Sequence, residues 1–312
     1  MAKYILKRLV TVIPVMIGVS LIVFFMLYIS PGDAAEVLLG ENTSAEALAQ
    51  LRHDMGLDKP FFEQYFDYMK KIILHGDFGT SWITGKAVLG SIWDSFKNTV
   101  VLATFSELIA VTLALLLGVI AAVKQYSLFD SLSMLFALLG LSMPNFWQGL
   151  LFMLLFSVTL GWLPISGFTS FKHMILPALT IGTSSCASIA RITRSCMLEV
   201  IRQDYIDTAR AKGQKEAVVI FKHALKNAMI PVLTSIGLSF GALLGGSVIT
   251  ESVFSIPGLG ALIVASVKKR DYPVVQGGIL FIAFVLCVVN LLVDLMYVAV
   301  DPRMKTSLSR KG

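Results

Sequence analysis

Few residues in this chain have the types and spacing that catalysis requires. The nearest match to a phosphate-binding loop runs from Gly79 to Ala87, but five residues separate its glycines instead of four, and Ala87 stands where Ser or Thr is needed. The chain has no H-E-x-x-H sequence. The four histidines are scattered: His53, His75, His173 and His223. We therefore expect no catalytic residues, no metal site and no enzyme activity in this chain.

A second group of candidate residues consists of polar side chains inside apolar runs. Polar groups at membrane depth are costly against lipid, so they face protein or water and often mark a substrate path. Glu107 either lines such a path or pairs within the helix bundle. Asn290 and Asp294 are four residues apart and share one helical face. The possible translocation-path residues are Glu107, Asn145, Gln148, Asn290 and Asp294.

The composition shows which elements must position these groups. Of 312 residues, 56% are hydrophobic and only 15% are charged, which is not the composition of a soluble domain. A transmembrane helix needs roughly 20 apolar residues. Six runs qualify or nearly do: Leu9–Ile29, Asn98–Val123, Ser131–Leu160, Met174–Ala190, Asn227–Thr250 and Tyr272–Val293. We predict an all-α polytopic membrane protein with six transmembrane helices.

The distribution of the net charge of +6 predicts the topology, because Lys and Arg collect at the cytoplasmic ends of spans. Basic residues cluster at both termini and in one region of the second half. That region contains Arg191, Arg194, Arg202, Arg210, Lys212, Lys215, Lys222 and Lys226. Six spans with both termini in the cytoplasm place all three clusters inside. Charge beside spans explains the basic composition without a nucleic-acid partner.

The uncharged stretch 131–171 is long enough for two short spans. Two spans there would place the basic region outside, against the charge rule. We therefore predict one long, tilted helix that is kinked near Pro144.

The resulting segments have distinct characters. Residues 1–30 are predicted to form an N-terminal transmembrane helix, and residues 98–300 a core of five more. Between them, 31–97 is an extracytoplasmic segment with amphipathic helices, carrying ten acidic and six basic residues. Residues 301–312 form a cytoplasmic tail.

A polar island at 199–231 interrupts the apolar second half. Two helical patterns in it are separated by Gly213, a residue that ends helices well because it adopts the left-handed conformation. The second pattern has an apolar stripe at Ala217, Phe221, Ala224, Leu225 and Ala228. We predict a helix–turn–helix elbow between two spans.

The island resembles the EAA loop of ABC importer permeases, with Asp207, Thr208 and Ala209 at the three named positions and Gly213 after three more residues. The run DYIDTARAKG…HALKNAMIPV resembles the dipeptide, oligopeptide and nickel branch of that family, as does E-x-V-F-x-x-P-G-L-G…R-D-Y-P from Glu251 to Pro273. Pro31-Gly32-Asp33 and Asp301-Pro302-Arg303 also resemble family motifs. The resemblance covers about residues 1–305.

The resemblance implies a type I ABC importer transmembrane domain in a bacterial or archaeal cytoplasmic (inner) membrane. Its implied partners are a second homologous permease, two ATPase subunits that hold ATP and Mg, and an extracytoplasmic substrate-binding protein; no cofactor is expected in this chain. The implied ATPase-coupling residues are Tyr205, Asp207, Ala209, Arg210, Lys212, Gly213, His223 and Asn227. The implied outer mouth or gate comprises Glu251, Phe254, Pro257, Gly258 and Gly260.

Three alternatives stay open at this point. Within the branch, substrates include dipeptides, oligopeptides, glutathione-like peptides and nickel, and the lack of a metal-ligand cluster favours peptides. A secondary transporter driven by an ion gradient would need inverted repeats and intramembrane charges, which are not evident. An intramembrane protease would need paired catalytic groups at one depth.

Overall fold

The computed structural model describes residues 2–30, 32, 34–40 and 44–300, and all side chains there except those of residues 2–5, 7 and 297–300. The expected motifs at Pro31 and Asp33 and the predicted tail 301–312 lie outside the described residues. The described helices are α1 (Ala2–Tyr28), α2 (Ala34–Leu39), α3 (Ala45–Asp54), α4 (Phe61–His75), α5 (Val88–Val123), α6 (Leu128–Ser142), α7 (Asn145–Phe152), α8 (Phe171–Ile201), α9 (Asp204–Ala211), α10 (Glu216–Val218), α11 (Leu225–Leu244), α12 (Val248–Val253), α13 (Leu259–Lys268) and α14 (Tyr272–Val300).

Two π-helical segments extend this framework. Met153–Thr159 continues α7, and Val219–Ala224 joins α10 to α11. Five helical stretches of the described chain are long and apolar enough to cross a bilayer: Arg8–Tyr28, Val88–Val123, Phe171–Ile201, Glu216–Leu244 and Tyr272–Met296. The pair Leu128–Ser142 and Asn145–Thr159 makes a sixth if it is one broken span, so the predicted count of six agrees with the structure.

The predicted kink at Pro144 has the right position but the wrong size. The chain turns by 105° between Ser142 and Asn145, so this span is two helices and not one tilted helix. Met143 leaves the helix with φ −83° and ψ 128°, the extended conformation that a following proline favours. Pro144 also has no N–H to continue the helical hydrogen bonding. Both effects end α6 and restart the chain in a new direction.

The bundle is held together where glycines let helix backbones approach closely. A Cβ on Gly118 of α5 would lie 2.7 Å from the carbonyl oxygen of Ala190 on α8. A Cβ on Gly140 of α6 would lie 2.7 Å from the carbonyl oxygen of Thr183, also on α8. Small residues at helix contacts are typical of membrane proteins. They make α5, α6 and α8 one closely packed unit.

Helix α5 is the longest element, with 36 residues, and it contacts both ends of the bundle. At its C-terminal end, Val119 and Ala122 pack against Met197 and the α9 region. We call this the elbow end. At its N-terminal end, Val88 and Ile92 pack against α13 and α14. We call this the far end.

Candidate functional site: the elbow and the far-end turn

The elbow predicted around Gly213 is present. Helix α9 ends at Ala211, and Gly213 adopts φ +73°, where a side chain would strain the backbone. The Gly213 N–H donates to the Arg210 carbonyl oxygen at 2.9 Å, closing the helix end. The chain becomes helical again at Glu216 and stays helical to Leu244. The second arm of the elbow is therefore continuous with a candidate span.

The exposed side of the elbow is cross-linked by side chains. Arg210 binds Asp207 at 3.2 Å and Glu216 at 2.9 Å, so it joins the two arms. The Asn227 amide donates to the Tyr205 hydroxyl at 2.9 Å and also joins the two arms. His223 ties the second arm to Gln214 in the turn at 2.7 Å. The structure thus brings together Tyr205, Asp207, Arg210, His223 and Asn227 of the expected coupling set, while Lys212 is exposed beside them.

The underside of the elbow is apolar, but its stripe differs from the prediction. Phe221 is 62% exposed, and Ala217 is exposed too, whereas Val219 and Ile220 are buried. The reason is the π-helical segment Val219–Ala224, whose wider turn shifts the 3.6-residue period that the prediction assumed. In the first arm, Ala209 is buried with Ile206, which has no exposed surface and which the sequence interpretation missed.

A partly buried ion pair near the elbow end was also missed. Asp130 accepts two hydrogen bonds from the Arg194 guanidinium, at 2.7 and 2.8 Å, which ties α6 to α8. The Ser127 side chain caps α6 by accepting from the Asp130 N–H. Ser127 followed three residues later by an acidic residue was the sequence signal for a helix start. Its partner, Arg194 on α8, had no such sequence signal.

At the far end, the Glu251 carboxylate organises the turn Glu251–Gly260, which we call the Glu251 turn. Its two oxygens accept from the Thr99 hydroxyl and from the Ala261 N–H, both at 2.9 Å. Thr99 in turn accepts from the Leu259 N–H at 2.8 Å. Burial raises the pKa of Glu251 above its usual range, and the hydrogen bonds from the Ala261 N–H and the Thr99 hydroxyl offset only part of that rise. The carboxylate therefore joins α5, α12 and α13 without a cationic partner in the described chain.

This geometry explains the glycines of the P-G-L-G sequence. A Cβ on Gly258 would overlap the Glu251 carboxylate, and one on Gly260 would lie 3.0 Å from its Oε2 atom. Phe254 is 1% exposed and packs over Gly149 of α7, whereas Pro257 is exposed. Four of the five residues expected at an outer mouth are therefore buried in a packed turn.

The expected path residues lie in three separate places. Glu107 is buried and accepts from the Ser239 hydroxyl at 3.0 Å, and its other oxygen has no partner among the described residues. The Gln148 amide donates to the Thr183 hydroxyl at 2.7 Å. Asn145, three residues before Gln148 on α7, is half-buried. Asp294 pairs with Arg8 on α1 at 3.1 Å, and Asn290 on the same helix is exposed.

The R-D-Y-P sequence clamps the 31–97 segment to the far end. Asp271 accepts from the Ser81 hydroxyl and from the Trp82 N–H. The Arg270 guanidinium lies against Gly32, where a Cβ would be 2.7 Å from Nη2. The Tyr272 ring packs against the Trp82 ring with centroids 5.6 Å apart. Contacts over such sequence distances are not readable from local patterns.

Comparison with known proteins decides the family. Residues 114–306 match the model of the binding-protein-dependent transport system inner membrane component, and residues 1–116 match the model of the N-terminal part of such membrane components. The chain belongs to this family. It is a multi-pass protein, as the composition and the predicted spans indicated, and it lies in the inner membrane, as the resemblance implied.

Curated relatives align with this inner membrane component over almost its whole length. The dipeptide transport system permease protein of Alkalihalophilus pseudofirmus is 44% identical, covering 98% of this chain and 100% of the relative. The di/tripeptide transport system permease protein of Pseudomonas aeruginosa is 43% identical, with 98% and 99% covered. The glutathione transport system permease protein of Salmonella typhimurium is also 43% identical, with 98% and 99% covered.

Solved structures share the fold. The methionine ABC transporter MetNI, in inward-facing conformations, matches with a TM-score of 0.54 at 16% identity, covering 68% of this chain and 97% of that one. An amino acid ABC transporter with histidines matches with a TM-score of 0.52 at 16% identity, covering 67% and 94%. The predicted fold, the transmembrane domain of an ABC importer, is confirmed.

Proposed function

We propose that this chain is the permease subunit of an ABC importer and forms part of the translocation path for short peptides. The observation that carries the proposal is the elbow, which offers an exposed, cross-linked surface on one side and continues into a candidate span on the other. The substrate class is supported by the relatives, which are named for dipeptide, di/tripeptide and glutathione transport. ATP and Mg would bind to separate ATPase subunits.

The proposed assembly contains four further chains: a second homologous permease, two ATPase subunits and an extracytoplasmic substrate-binding protein. The permease partner would cover part of the exposed apolar surface, and lipid the rest. The elbow would face the cytoplasm, as its basic residues favour, together with both termini. The 31–97 segment and the Glu251 turn would then lie outside.

The orientation can be tested by labelling single cysteines. In a variant without native cysteines, Lys212→Cys at the elbow and Lys86→Cys in the 31–97 segment both give exposed thiols. A membrane-impermeant maleimide added to intact cells should label Lys86→Cys, and it should label Lys212→Cys only after the membrane is opened. The reverse pattern would overturn the orientation.

The proposed mechanism is mechanical coupling. Closure of the two ATPase subunits on ATP would move the elbow, and the helix from Glu216 to Leu244 would carry that movement into the bundle. Coupling through a docked surface requires the elbow to keep its shape, and Gly213 sets that shape through its positive φ. Glu107, Asn145, Gln148, Asn290 and Asp294 remain predictions as path residues.

The coupling role is tested with Gly213→Val and a matched control, Gly85→Val. Both glycines have positive φ, +73° and +68°, and a Cβ added at either would meet no atom within 4 Å, so the two variants strain the backbone similarly. Peptide uptake and peptide-stimulated ATPase activity of the whole transporter should be abolished by Gly213→Val and retained by Gly85→Val, with normal membrane insertion of both. Full uptake by Gly213→Val would refute the coupling role.

The energy source of uptake tests the competing function. Uptake that needs an ion gradient and no ATP would indicate a secondary transporter.

A further inference from the structure

Two adjacent cavities lie between the 31–97 segment and the far ends of α1 and α14. Their volumes are about 420 Å³ and about 180 Å³. They share the wall residues Phe24, Leu57, Gln64, Tyr272 and Gln276. Pockets for small molecules commonly measure about 300–1,000 Å³. Of these two cavities, only the larger one reaches that range.

The shared wall contains an amide that makes no hydrogen bond within the described chain. Gln276 on α14 is 9% exposed, and no described group forms a hydrogen bond with its side chain. Its neighbour Gln64 differs, because the Gln64 amide donates to the carbonyl oxygens of Leu57 and Lys59 at 3.3 and 2.7 Å. Buried polar groups are normally paired. An amide that offers both a donor and an acceptor matches the peptide group of a ligand.

The larger cavity also has charges of both signs that are not used in ion pairs. Two ion pairs have already formed near it: Lys59 binds Asp67 at 2.6 Å, and His53 binds Asp58 at 2.7 Å. The cavity residue Lys71 has no ion-pair partner among the described side chains. The same is true of the cavity carboxylates Asp54 and Asp77. Asp54 accepts a hydrogen bond from the Gln50 amide, and Asp77 accepts one from the Gly79 N–H, each through Oδ1. A cation and two anions without ion-pair partners in the described chain therefore line one cavity.

The remaining walls are aromatic. Phe24, Phe78, Trp82 and Tyr272 line the larger cavity, and the Trp82 and Tyr272 rings pack together at 5.6 Å. Aromatic rings provide apolar area with fixed geometry. This wall suits an apolar side chain of a ligand whose ends are charged.

We propose that this cavity is an outer binding site for a short zwitterionic peptide, entered before the translocation path. Gln276 pairs with the peptide group, Lys71 with the terminal carboxylate, and Asp54 or Asp77 with the terminal ammonium. The aromatic wall holds the side chain. The inference rests on the proposed function for its substrate class and orientation, and it gives the permease a substrate contact of its own, apart from the binding protein.

The test uses the complete transporter in lipid nanodiscs, without added binding protein, and the photoreactive dipeptide glycyl-p-benzoylphenylalanine. Irradiation followed by peptide mapping should place the adduct within the cavity wall, at Trp82, Tyr272 or a neighbour. Unlabelled glycyl-phenylalanine should compete. Its N-acetylated, C-amidated form should compete at least about tenfold less well, because both charged ends are lost.

Variants assign the contacts. Gln276→Met keeps the side-chain length but removes the amide, and labelling should need about tenfold more probe. Lys71→Gln should also weaken labelling, whereas Lys70→Gln, the neighbour that does not line the cavity, should not. Equal effects of the two lysine variants, equal competition by the capped dipeptide, or adducts outside the cavity would each overturn the site.

Peptide uptake by the same preparation with binding protein separates this inference from the proposed function. Peptide uptake without specific cavity labelling would reject the outer site alone. Absence of peptide uptake by a complex that hydrolyses ATP and transports another substrate would reject the substrate class. Crosslinking of the cavity to the binding protein, without competition by dipeptide, would show that the cavity is a protein contact and reject the peptide site.

Discussion

The elbow and the Glu251 turn both connect helices tightly, but the groups that join them differ in their exposure to solvent. The elbow is joined by ion pairs and hydrogen bonds on an exposed surface, with Arg210 36% exposed at its centre. The Glu251 turn is joined by a carboxylate with no exposed surface. Exposed ion pairs contribute little free energy, whereas hydrogen bonds to a buried polar group are costly to lose.

The difference indicates what each region is suited for. A surface that is cross-linked but weakly stabilised can exchange its partners when another protein docks. A buried turn whose glycines fit a carboxylate has one low-energy arrangement. We infer that the far end keeps its shape while the elbow meets a changing partner, and three predictions test this contrast.

The largest effect is expected from Glu251→Ala. It removes the acceptor of the Thr99 hydroxyl and the Ala261 N–H and leaves a cavity, which should lower the free energy of unfolding by about 3 kcal/mol or more. Thermal unfolding of the purified protein measures the change. Glu46→Ala on the exposed surface of α3 is the control and should change the midpoint little. Similar midpoints for both variants would contradict the structural role of the carboxylate.

An intermediate effect is expected from Gly258→Ala. The added methyl group would overlap the Glu251 carboxylate, and overpacking of this kind costs about 1–3 kcal/mol. Gly90→Ala on α5 is matched to it, because a Cβ there meets no atom within 4 Å. That control should be neutral or slightly stabilising, since Ala favours helix more than Gly. A neutral Gly258→Ala in the same thermal assay would mean that the turn is loosely packed.

The smallest effect on stability is expected from Arg210→Gln. It breaks both exposed ion pairs of the elbow, which should cost roughly 0.5 kcal/mol and rarely more than about 1 kcal/mol. The same variant should nevertheless reduce peptide-stimulated ATPase activity, because the two arms of the elbow lose their ion-pair link and keep only the bond between Asn227 and Tyr205. Lys222→Gln, an exposed lysine of the elbow outside the expected coupling set that makes no ion pair in the described chain, is the control for charge alone. A large loss of stability with normal coupling would reverse the comparison.

Local patterns predicted the features that depend on neighbours in sequence. Apolar length gave the spans, and Gly213 gave the elbow, because each signal lies within one segment. The stripe through Ala217 and Phe221 was wrong, because a π-helical turn changes the period without a clear sequence mark. The 105° turn at Pro144 was underestimated, because proline predicts a break but not its angle.

Features that depend on distant contacts could not be predicted. Glu251 stood out within a family-like motif, but nothing in the motif indicated that Thr99, 152 residues away, would donate to it. Asp130 and Arg194 are similarly remote. Gln276 was missed because its polar character matters only against the cavity wall formed by the 31–97 segment.

The length of α5 has a geometric consequence. Val119 contacts the elbow cluster, and Thr99 holds the Glu251 turn, so both regions are attached to one helix. The roughly twenty residues between them span about 30 Å at about 1.5 Å per residue. If the helix tilts as a rod by about 10°, its far end moves sideways by about 5 Å. A small angular change at one face of the membrane is thus amplified into a displacement the width of a side chain at the other.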